Sequence, residues 1–355
     1  MASIATSSNS SAASLSLENL LIENYVAGRL RLPDAILQWF LDIAVETYYG
    51  FGARLDAMPT QWAGDHGDVL PGNGVDLLNV HYELPAAIFE QFLGRTMKYS
   101  MALWEDGAAD LDGAQESMMA DLCRKIDLRD GLSVVDIGCG FGSFASFVLT
   151  HYPHCSVYGL TLSETQYRYI VERQQQPGHP LNSPRFRVAK EDFCRATVVE
   201  CFDRVVCIGV FEHFSNLKRA LATMRRFVKD DGACLVHYIA YTELIERFAD
   251  YEMSDTFMRR CIFPNSRFWH DRELFKYQDD LRIDNYWFLN GRNYQRTLEA
   301  WGKNFRSNRD AIRRIRGDDE RFLRMWNYYF RFTSALFKGR GGRQVGNGQY
   351  LLRPR

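Results

Sequence analysis

The chain has 355 residues, and 46% of them are hydrophobic, which is enough to build a sizeable core. Its 43 basic and 44 acidic residues give a formal charge of −1, so the sequence lacks the strong positive field of a nucleic-acid-binding protein. The sequence has no apolar stretch near the roughly 20 uncharged residues that a membrane span needs. We therefore expect a soluble globular protein with neither nucleic acid nor stable membrane insertion among its interactions.

The cysteines and the N-terminal residues indicate where such a protein resides. Eight cysteines are spread along the chain without a C-x-x-C pair or a metal-type spacing, which favours a reducing, cytoplasmic location and no metal site. Met1–Ser14 is rich in Ser, Ala and Asn and lacks both the apolar segment of a secretion signal and the arginines of a mitochondrial signal. We interpret residues 1–14 as a disordered tail.

A helical N-terminal extension is predicted over residues 15–110. Apolar residues recur at helical spacing in Leu15–Arg29 and Pro33–Tyr49, and Leu84–Leu93 is a third helical segment. The turn-rich segment Asp65–Gly74 separates them, which indicates a boundary or hinge near residue 70.

The remaining residues, 111–355, alternate helical patterns with short apolar runs, which predicts an α/β fold with a Rossmann-like, mostly parallel sheet. The expected strands are Ser133–Ile137, Ser156–Leu160, Phe186–Ala189, Arg204–Ile208, Ala233–Ile239, Arg282–Phe288 and Val345–Leu352. Insertions between late strands often cover the active site of such sheets, so we interpret the aromatic-rich segment Tyr241–Asp280 as a lid.

The first predicted strand ends in Asp136 and leads into a G-x-G-x-G turn formed by Gly138, Gly140 and Gly142. Glycines at the carboxyl edge of a parallel strand allow the backbone to approach a ligand closely. The spacing differs from the G-x-G-x-x-G of dinucleotide-binding proteins, so nicotinamide is not the favoured ligand. A tight turn without a ligand is the structural alternative.

The second and third strands lead to further candidate ligand contacts. Where such folds normally place an acid near ribose hydroxyls, this chain has Thr161-Leu162, and Gln166 lies five residues after Thr161. Ser163 with Gln166 also matches a helix-capping box, and the two roles are compatible. After the third strand, Asp192 could bind an adenine amine and Phe193 could stack on the ring, although acidic loops are usually only solvated.

Glu212 and His213 follow the fourth strand, at the sheet edge where substrates meet cofactors. His237 ends the fifth strand and Tyr294 opens the helix after the sixth. Each of these residues also has a purely structural interpretation, such as a buried histidine that is satisfied by a backbone carbonyl.

Six segments together resemble the methyltransferase family that contains cyclopropane fatty acid synthase and coclaurine N-methyltransferase. They are Met97–Ser100, Asp136–Gly140, Gly159–Ser163 with Gln166, Phe211–His213, Ile262–Pro264 and Tyr294–Trp301. The resemblance implies a seven-stranded class I methyltransferase sheet with an antiparallel last strand. It also implies S-adenosylmethionine as co-substrate, contacts from Tyr99 and Ser100 to it, and a homodimer.

The two branches of that family imply different chemistry. In the cyclopropane branch the counterparts of Gly209, Glu212, His237, Ile239 and Tyr294 hold a bicarbonate ion that acts as base, but the family's cysteine after Tyr-Ser is Met101 here. In the amine branch Glu212 and His213 match a catalytic pair, whereas Gly209 stands where a glutamate is usual.

We therefore expect N-methylation of a small, aromatic or alkaloid-like amine. The alternative is methylene transfer to an unsaturated acyl lipid with bicarbonate as base, and a third hypothesis is a scaffold protein that binds the co-substrate without turnover.

Overall fold

The structure is a computed structural model that describes residues 19–50, 64–65, 67–70, 78–104, 107–196, 200–243, 256–264 and 267–355. The predicted tail, residues 1–14, lies outside the described residues, as do parts of the predicted first helix, hinge and lid. No helix in these ranges is long and apolar enough to cross a membrane.

Two helical segments and a short turn region precede the sheet. Residues 19–26 are helical, and α1 spans Asp34–Gly50. A single π-helical turn, Leu78–Tyr82, leads to the short helix α2, Ala86–Phe89. Helix α3, Leu111–Lys125, begins where the Asp110 carboxylate accepts a hydrogen bond from the Gly113 N–H at 2.9 Å, which satisfies an otherwise unpaired donor of its first turn.

Parallel strands and helices then alternate as predicted. The strands are β1 (Ser133–Ile137), β2 (Ser156–Thr161), β3 (Phe186–Lys190), β4 (Phe202–Ile208) and β5 (Val228–Tyr241). The connecting helices are α4 (Ser143–His151), α5 (Glu164–Gln174) and α6 (Leu217–Arg225). All four pairings among β1 to β5 are parallel, so the carboxyl ends of these strands meet at one edge.

The chain after β5 completes the sheet and adds a layer of helices. The strands are β6 (Trp269–His270), β7 (Leu281–Leu289) and β8 (Val345–Pro354). The helices are α7 (Phe257–Cys261), α8 (Arg292–Ser307), α9 (Arg309–Arg316) and α10 (Glu320–Lys338). The sequence analysis assigned no structure to the region of α9 and α10.

The sheet has eight strands in the order β3-β2-β1-β4-β5-β8-β7, and β6 pairs with the end of β5. Strand β8 runs antiparallel to both of its neighbours. This confirms the predicted class of sheet. The additional strand, β6, comes from the segment that the sequence predicted to be a lid, and its residue Trp269 is fully buried. The described residues of this segment that line a cavity at the carboxyl edge are Thr256, Met258, Arg259, Phe263 and Phe268.

Alternating strand residues divide the core between the two faces of the sheet. Val134 and Leu235 pack on the face covered by α3, α8 and α10, whereas Val135 and Val236 pack on the face covered by α6. Helix α1 also packs against α10, and the Tyr49 hydroxyl donates to the Leu336 carbonyl at 2.9 Å. The N-terminal helices are thereby joined to the helical layer that covers the carboxyl edge.

Candidate active site

Two adjoining cavities lie at the carboxyl edge of the sheet. The first cavity encloses about 1080 Å³ of empty space around the ends of β1, β2 and β4. The second cavity encloses about 1020 Å³ between the ends of β4, β5 and β8, the segment 256–268 and α10. The residues common to both walls are Tyr82, Tyr99, Ser100, Gly209 and His213. A molecule in one cavity would therefore meet a molecule in the other at this boundary.

Nine of the ten predicted co-substrate residues line the first cavity. They are Tyr99, Ser100, Asp136, Gly138, Gly140, Thr161, Leu162, Gln166 and Phe193. The Thr161 hydroxyl donates to the Gln166 side-chain oxygen at 2.8 Å, and the Ser163 hydroxyl accepts from the Gln166 N–H at 3.1 Å. The capping role and the cavity-lining role that the sequence left open are thus present together.

The exception is Asp192, whose place in the wall is taken by its neighbour Glu191. The Asp192 carboxylate accepts a hydrogen bond from the Cys194 N–H at 2.9 Å and stays out of the cavity lining. Glu191 lines the cavity, and its Oε2 atom is buried without a hydrogen-bond partner in the described part of the chain. An unpaired buried carboxylate oxygen matches a ligand that brings a donor, such as an adenine amine.

The glycine turn provides open space for a ligand. Gly138 has φ +73°, and a Cβ atom there would lie 2.4 Å from Val210 Cγ2. Gly140 has φ +56°, and a Cβ atom there would meet no atom within 4 Å, because it would project into the cavity. Both positions have a left-handed backbone that favours glycine. At Gly138 a side chain would also clash with Val210, whereas at Gly140 it would occupy space that a ligand could use.

Lys98 is a buried residue of the first cavity that sequence reasoning did not select. Its ammonium donates to the Met101 carbonyl at 2.7 Å and to the Ser100 hydroxyl at 2.5 Å. Burial lowers the pKa of Lys98 to about 7, and burial raises the pKa of Asp136, which also lines the cavity, to about 7. The only sequence signal was its position directly before the Tyr-Ser pair.

The wall of the second cavity is rich in aromatic rings and also contains Arg259. The rings are those of Tyr82, Tyr99, Phe263, Phe268, Tyr294, Tyr329, Phe332 and Phe337. Three of the four predicted catalytic residues, Glu212, His213 and Tyr294, lie in the same wall. Burial and the nearby Tyr329 and Glu212 keep the pKa of Tyr294 well above its ordinary value, so its hydroxyl stays protonated.

Glu212 is the acidic group of the second cavity. It is 5% exposed, its Oε1 atom accepts from the Ile239 N–H at 2.7 Å, and its Oε2 atom has no hydrogen-bond partner among the described residues. Burial raises the pKa of the Glu212 carboxyl to about 7 despite the hydrogen bonds from backbone N–H groups. The residue therefore changes charge near neutral pH and is well placed to accept a hydrogen bond or to pair with a cation.

His213 stands at the boundary of the two cavities. Its Nε2 atom lies 3.0 Å from the Tyr82 hydroxyl, and burial lowers its pKa to about 4, so the imidazole is neutral at pH 7. Burial raises the pKa of Tyr82, which keeps its hydroxyl protonated. The imidazole is neutral and stands where a proton could be accepted, but its lowered pKa makes it a weaker base than the Glu212 carboxylate.

His237 lies beneath the site and outside both cavity walls. It is fully buried, and its Nδ1 and Nε2 atoms lie 3.0 Å and 3.1 Å from the side-chain amides of Gln349 and Asn347 on β8. Its ring is therefore engaged by β8, whereas the position at the strand end predicted a catalytic role. Strand β8 explains this position of His237, because it pairs with β5 and places Gln349 directly opposite His237.

A third histidine, His81, supports Tyr99 of the shared cavity wall from behind. His81 is buried, its Nε2 atom lies 2.6 Å from the Tyr99 hydroxyl, and its ring stacks on Tyr99 and on Trp326 of α10. Burial and His213 lower its pKa to about 3. Sequence reasoning missed this residue, because its partners on α10 are more than 200 positions away.

Comparison with known proteins agrees with this geometry. Residues 73–344 match the family model described as mycolic acid cyclopropane synthetase. The chain belongs to this family of S-adenosylmethionine-dependent methyltransferases.

Individual relatives come from both branches of the family. The chain is 29% identical over 239 residues to a probable (S)-tetrahydroprotoberberine N-methyltransferase 2 of Papaver bracteatum. This alignment covers 67% of this chain and 65% of that protein. It is 30% identical over 262 residues to the cyclopropane-fatty-acyl-phospholipid synthase of Escherichia coli K12. This alignment covers 73% of this chain and 64% of that protein. The match thus spans about two thirds of the length of these relatives.

The fold is also that of a solved structure. A crystal structure of coclaurine N-methyltransferase bound to N-methylheliamine and S-adenosylhomocysteine aligns with a TM-score of 0.82 at 21% identity, over 94% of this chain and 98% of that chain. The agreement extends over the helical extension as well as the sheet, and it confirms the class I methyltransferase fold.

Proposed function

We propose that this protein is an S-adenosylmethionine-dependent N-methyltransferase that acts on a small, aromatic amine. The observation that carries the proposal is the unpaired Oε2 atom of Glu212 in a cavity whose wall is rich in aromatic rings. A buried carboxylate with a free oxygen favours a cationic ligand, and the surrounding rings favour both the cation and an aromatic body. The alkaloid N-methyltransferases among the relatives support this choice.

The first cavity fits the methyl donor. Glu191, Phe193, Thr161 and Gln166 are placed to hold its nucleoside, and Asp136 and Lys98 supply charged groups for its amino-acid portion. S-adenosylmethionine, when bound there, supplies an electrophilic methyl group. The residues common to both cavities would then surround the position at which donor and acceptor meet.

The remaining groups prepare the acceptor. An amine with a pKa near ~10 arrives protonated and must lose a proton before its lone pair can attack. Glu212 holds the ammonium, and His213, with the Tyr82 hydroxyl, accepts the proton that the amine releases. As the nitrogen–methyl bond forms, the bond between methyl and sulfur breaks, and the proton leaves from His213. Alignment of the two ligands across the shared wall supplies the rest of the rate enhancement.

Cyclopropane formation with bicarbonate is the second candidate, supported by the 30% identity to the E. coli synthase. Two of the groups that the resemblance assigned to a bicarbonate site are engaged within the protein: the Ile239 N–H donates to Glu212, and His237 bonds the β8 amides. These contacts favour the amine.

The test is methyl transfer from radiolabelled S-adenosylmethionine into two acceptor pools, one of aromatic and aliphatic amines and one of vesicles of monounsaturated phospholipid, each with and without added bicarbonate. We expect label in the amine pool that bicarbonate does not change. Bicarbonate-dependent label in the lipid pool would replace the proposal with cyclopropanation. Binding of S-adenosylhomocysteine without label in either pool would favour a scaffold protein.

The eight cysteines, all free of disulfide bonds, support the cytoplasmic location proposed for the enzyme.

A further inference from the structure

A chain of buried polar side chains runs from α3 beneath the sheet edge to the second cavity. The Lys125 ammonium lies 2.7 Å from Asp121 Oδ2 and donates to the Gln349 side-chain oxygen. The Gln349 amide nitrogen lies 3.0 Å from Nδ1 of His237, and the Asn347 amide lies 3.1 Å from Nε2 of the same ring. Asn347 in turn lines the second cavity.

The donors and acceptors of this chain fix one another. An ammonium only donates, so Gln349 must turn its oxygen to Lys125 and its NH2 group to His237. An NH2 group only donates, so Nδ1 of His237 must be the unprotonated acceptor, and the proton of the neutral ring is on Nε2. The Nε2–H group then requires an acceptor, which only the oxygen of Asn347 can provide.

The amide of Asn347 therefore has its oxygen toward His237 and its NH2 group at the other position. Oxygen and nitrogen of a side-chain amide are nearly identical in size, so the assignment follows from hydrogen bonding and not from shape. One terminal atom of the Asn347 amide faces away from His237 and is buried. If this atom is the oxygen, it has no hydrogen-bond partner among the described residues. If it is the NH2 group, it is a donor that a ligand can satisfy.

A second unsatisfied group lies close by in the same wall. Asn347 is the β8 partner of Ile239, whose N–H on the opposite side donates to Glu212 Oε1 at 2.7 Å. The NH2 group of Asn347 and the free Oε2 atom of Glu212 thus flank Ile239, one as donor and one as acceptor. A hydroxyl group both donates and accepts and can satisfy the two together, whereas an ammonium or a hydrocarbon leaves the Asn347 donor unpaired.

We propose that Asn347 and Glu212 form a subsite for a hydroxyl group of the acceptor, with the amide of Asn347 oriented by His237, Gln349 and Lys125. The inference rests on the proposed N-methyltransferase function and narrows its substrates to hydroxylated aromatic amines. Glu212 can serve the amine and the hydroxyl together when the acceptor carries them on adjacent carbons, because both groups must then reach one carboxylate oxygen, which accepts more than one hydrogen bond. His237 is then a positioning residue that acts through Asn347.

The functional test compares phenethylamine with 2-amino-1-phenylethanol, which carries its hydroxyl next to the amine-bearing carbon, and with tyramine, whose ring hydroxyl is too far from the amine to share Oε2 with it. We expect wild-type kcat/KM to be about tenfold higher for 2-amino-1-phenylethanol than for phenethylamine or tyramine, and Asn347→Leu to bring the ratio of these kcat/KM values close to one. Asn285→Leu is the matched control, because Asn285 is exposed on the neighbouring strand β7 and should leave the preference unchanged. A preference absent from the wild type, or retained in Asn347→Leu, would overturn the subsite.

A second measurement reports on the orientation without turnover. Nitrogen NMR of protein with ¹⁵N-labelled histidine, assigned by loss of one signal in His237→Gln, should show the His237 ring neutral with its proton on Nε2. A proton on Nδ1 would reverse the amide of Asn347 and overturn the inference, even if the variant Asn347→Leu fails to fold. If no amine is methylated but the proton is on Nε2, the proposed function fails and the hydroxyl subsite fails with it, while the orientation of Asn347 stands.

Discussion

Replacing Glu212 with glutamine should lower activity and raise stability, and the two effects should share one pH dependence. The pKa of about 7 means that about 10% of Glu212 is ionised at pH 6 and about 90% at pH 8. If the carboxylate holds the ammonium, wild-type kcat/KM should rise about ninefold between these values. Glu212→Gln should reduce kcat/KM at pH 8 by about 100-fold and flatten the profile, because a charge-assisted hydrogen bond is lost.

The free energy of unfolding of Glu212→Gln should change in the opposite direction to its activity. The pKa of Glu212 is higher in the folded protein than the ordinary value of 4.5, so the folded state binds the proton more tightly and loses stability as pH rises from about 4.5 to 7. The shift corresponds to at most about 3 kcal/mol at pH 8. After allowance for a buried amide, Glu212→Gln should gain about 1 to 3 kcal/mol at pH 8 and much less at pH 5.

Initial rates with labelled S-adenosylmethionine and a hydroxylated phenethylamine, together with denaturant unfolding at both pH values, measure the two effects on the same preparations. Glu172→Gln, an exposed substitution on α5, is the control for the loss of one negative charge. A Glu212→Gln enzyme with the wild-type pH profile would refute the role of the carboxylate. Equal stability of variant and wild type at pH 8 would refute its desolvation.

Three further changes separate the parts of the site. Gly138→Ala should lower the melting temperature more than Gly140→Ala, because only the first adds a contact of 2.4 Å to strain from a positive φ, and comparable melting curves would contradict this. Tyr82→Phe removes the hydroxyl 3.0 Å from His213 Nε2 and should reduce kcat about tenfold with little effect on S-adenosylhomocysteine affinity by calorimetry; an equal loss in both would assign Tyr82 to donor binding. Lys98→Met should weaken S-adenosylhomocysteine binding about tenfold, whereas unchanged binding at all pH values would exclude Lys98 from the donor site.

The sequence predicted the parallel half of the fold well, because each element there carries its own local signal. Strand β1 was predicted with the observed bounds, Ser133–Ile137, since an apolar run ends at an aspartate and a glycine turn. Helix α10 was missed. Its polar side chains recur at helical spacing, so the sequence carried a 3.6-residue period that was overlooked; they are Glu320, Arg324, Asn327, Arg331 and Lys338.

The residues that the sequence did not select, and the predicted residues that lie outside the cavity walls, share a different cause, which is that their environment depends on non-local neighbours. Glu191 and Asp192 are adjacent, and the place where β3 ends, at Lys190, decides which of them enters the cavity. His237 occupies the predicted strand end, but the insertion of β8 beside β5 brings two amides to its ring. Lys98 is buried, a rare state for lysine that no local pattern indicates.

The order of strands in the sheet has a consequence for synthesis of the chain. Every residue of the first cavity wall lies at or before Phe214, whereas the second cavity also needs Tyr294, residues of α10 and Asn347. Strand β8 follows all other strands along the chain yet lies between β5 and β7, so β7 has no partner until β8 has left the ribosome. The residues that line the first cavity are therefore all synthesised before those that complete the second cavity and those that support Tyr99 from behind.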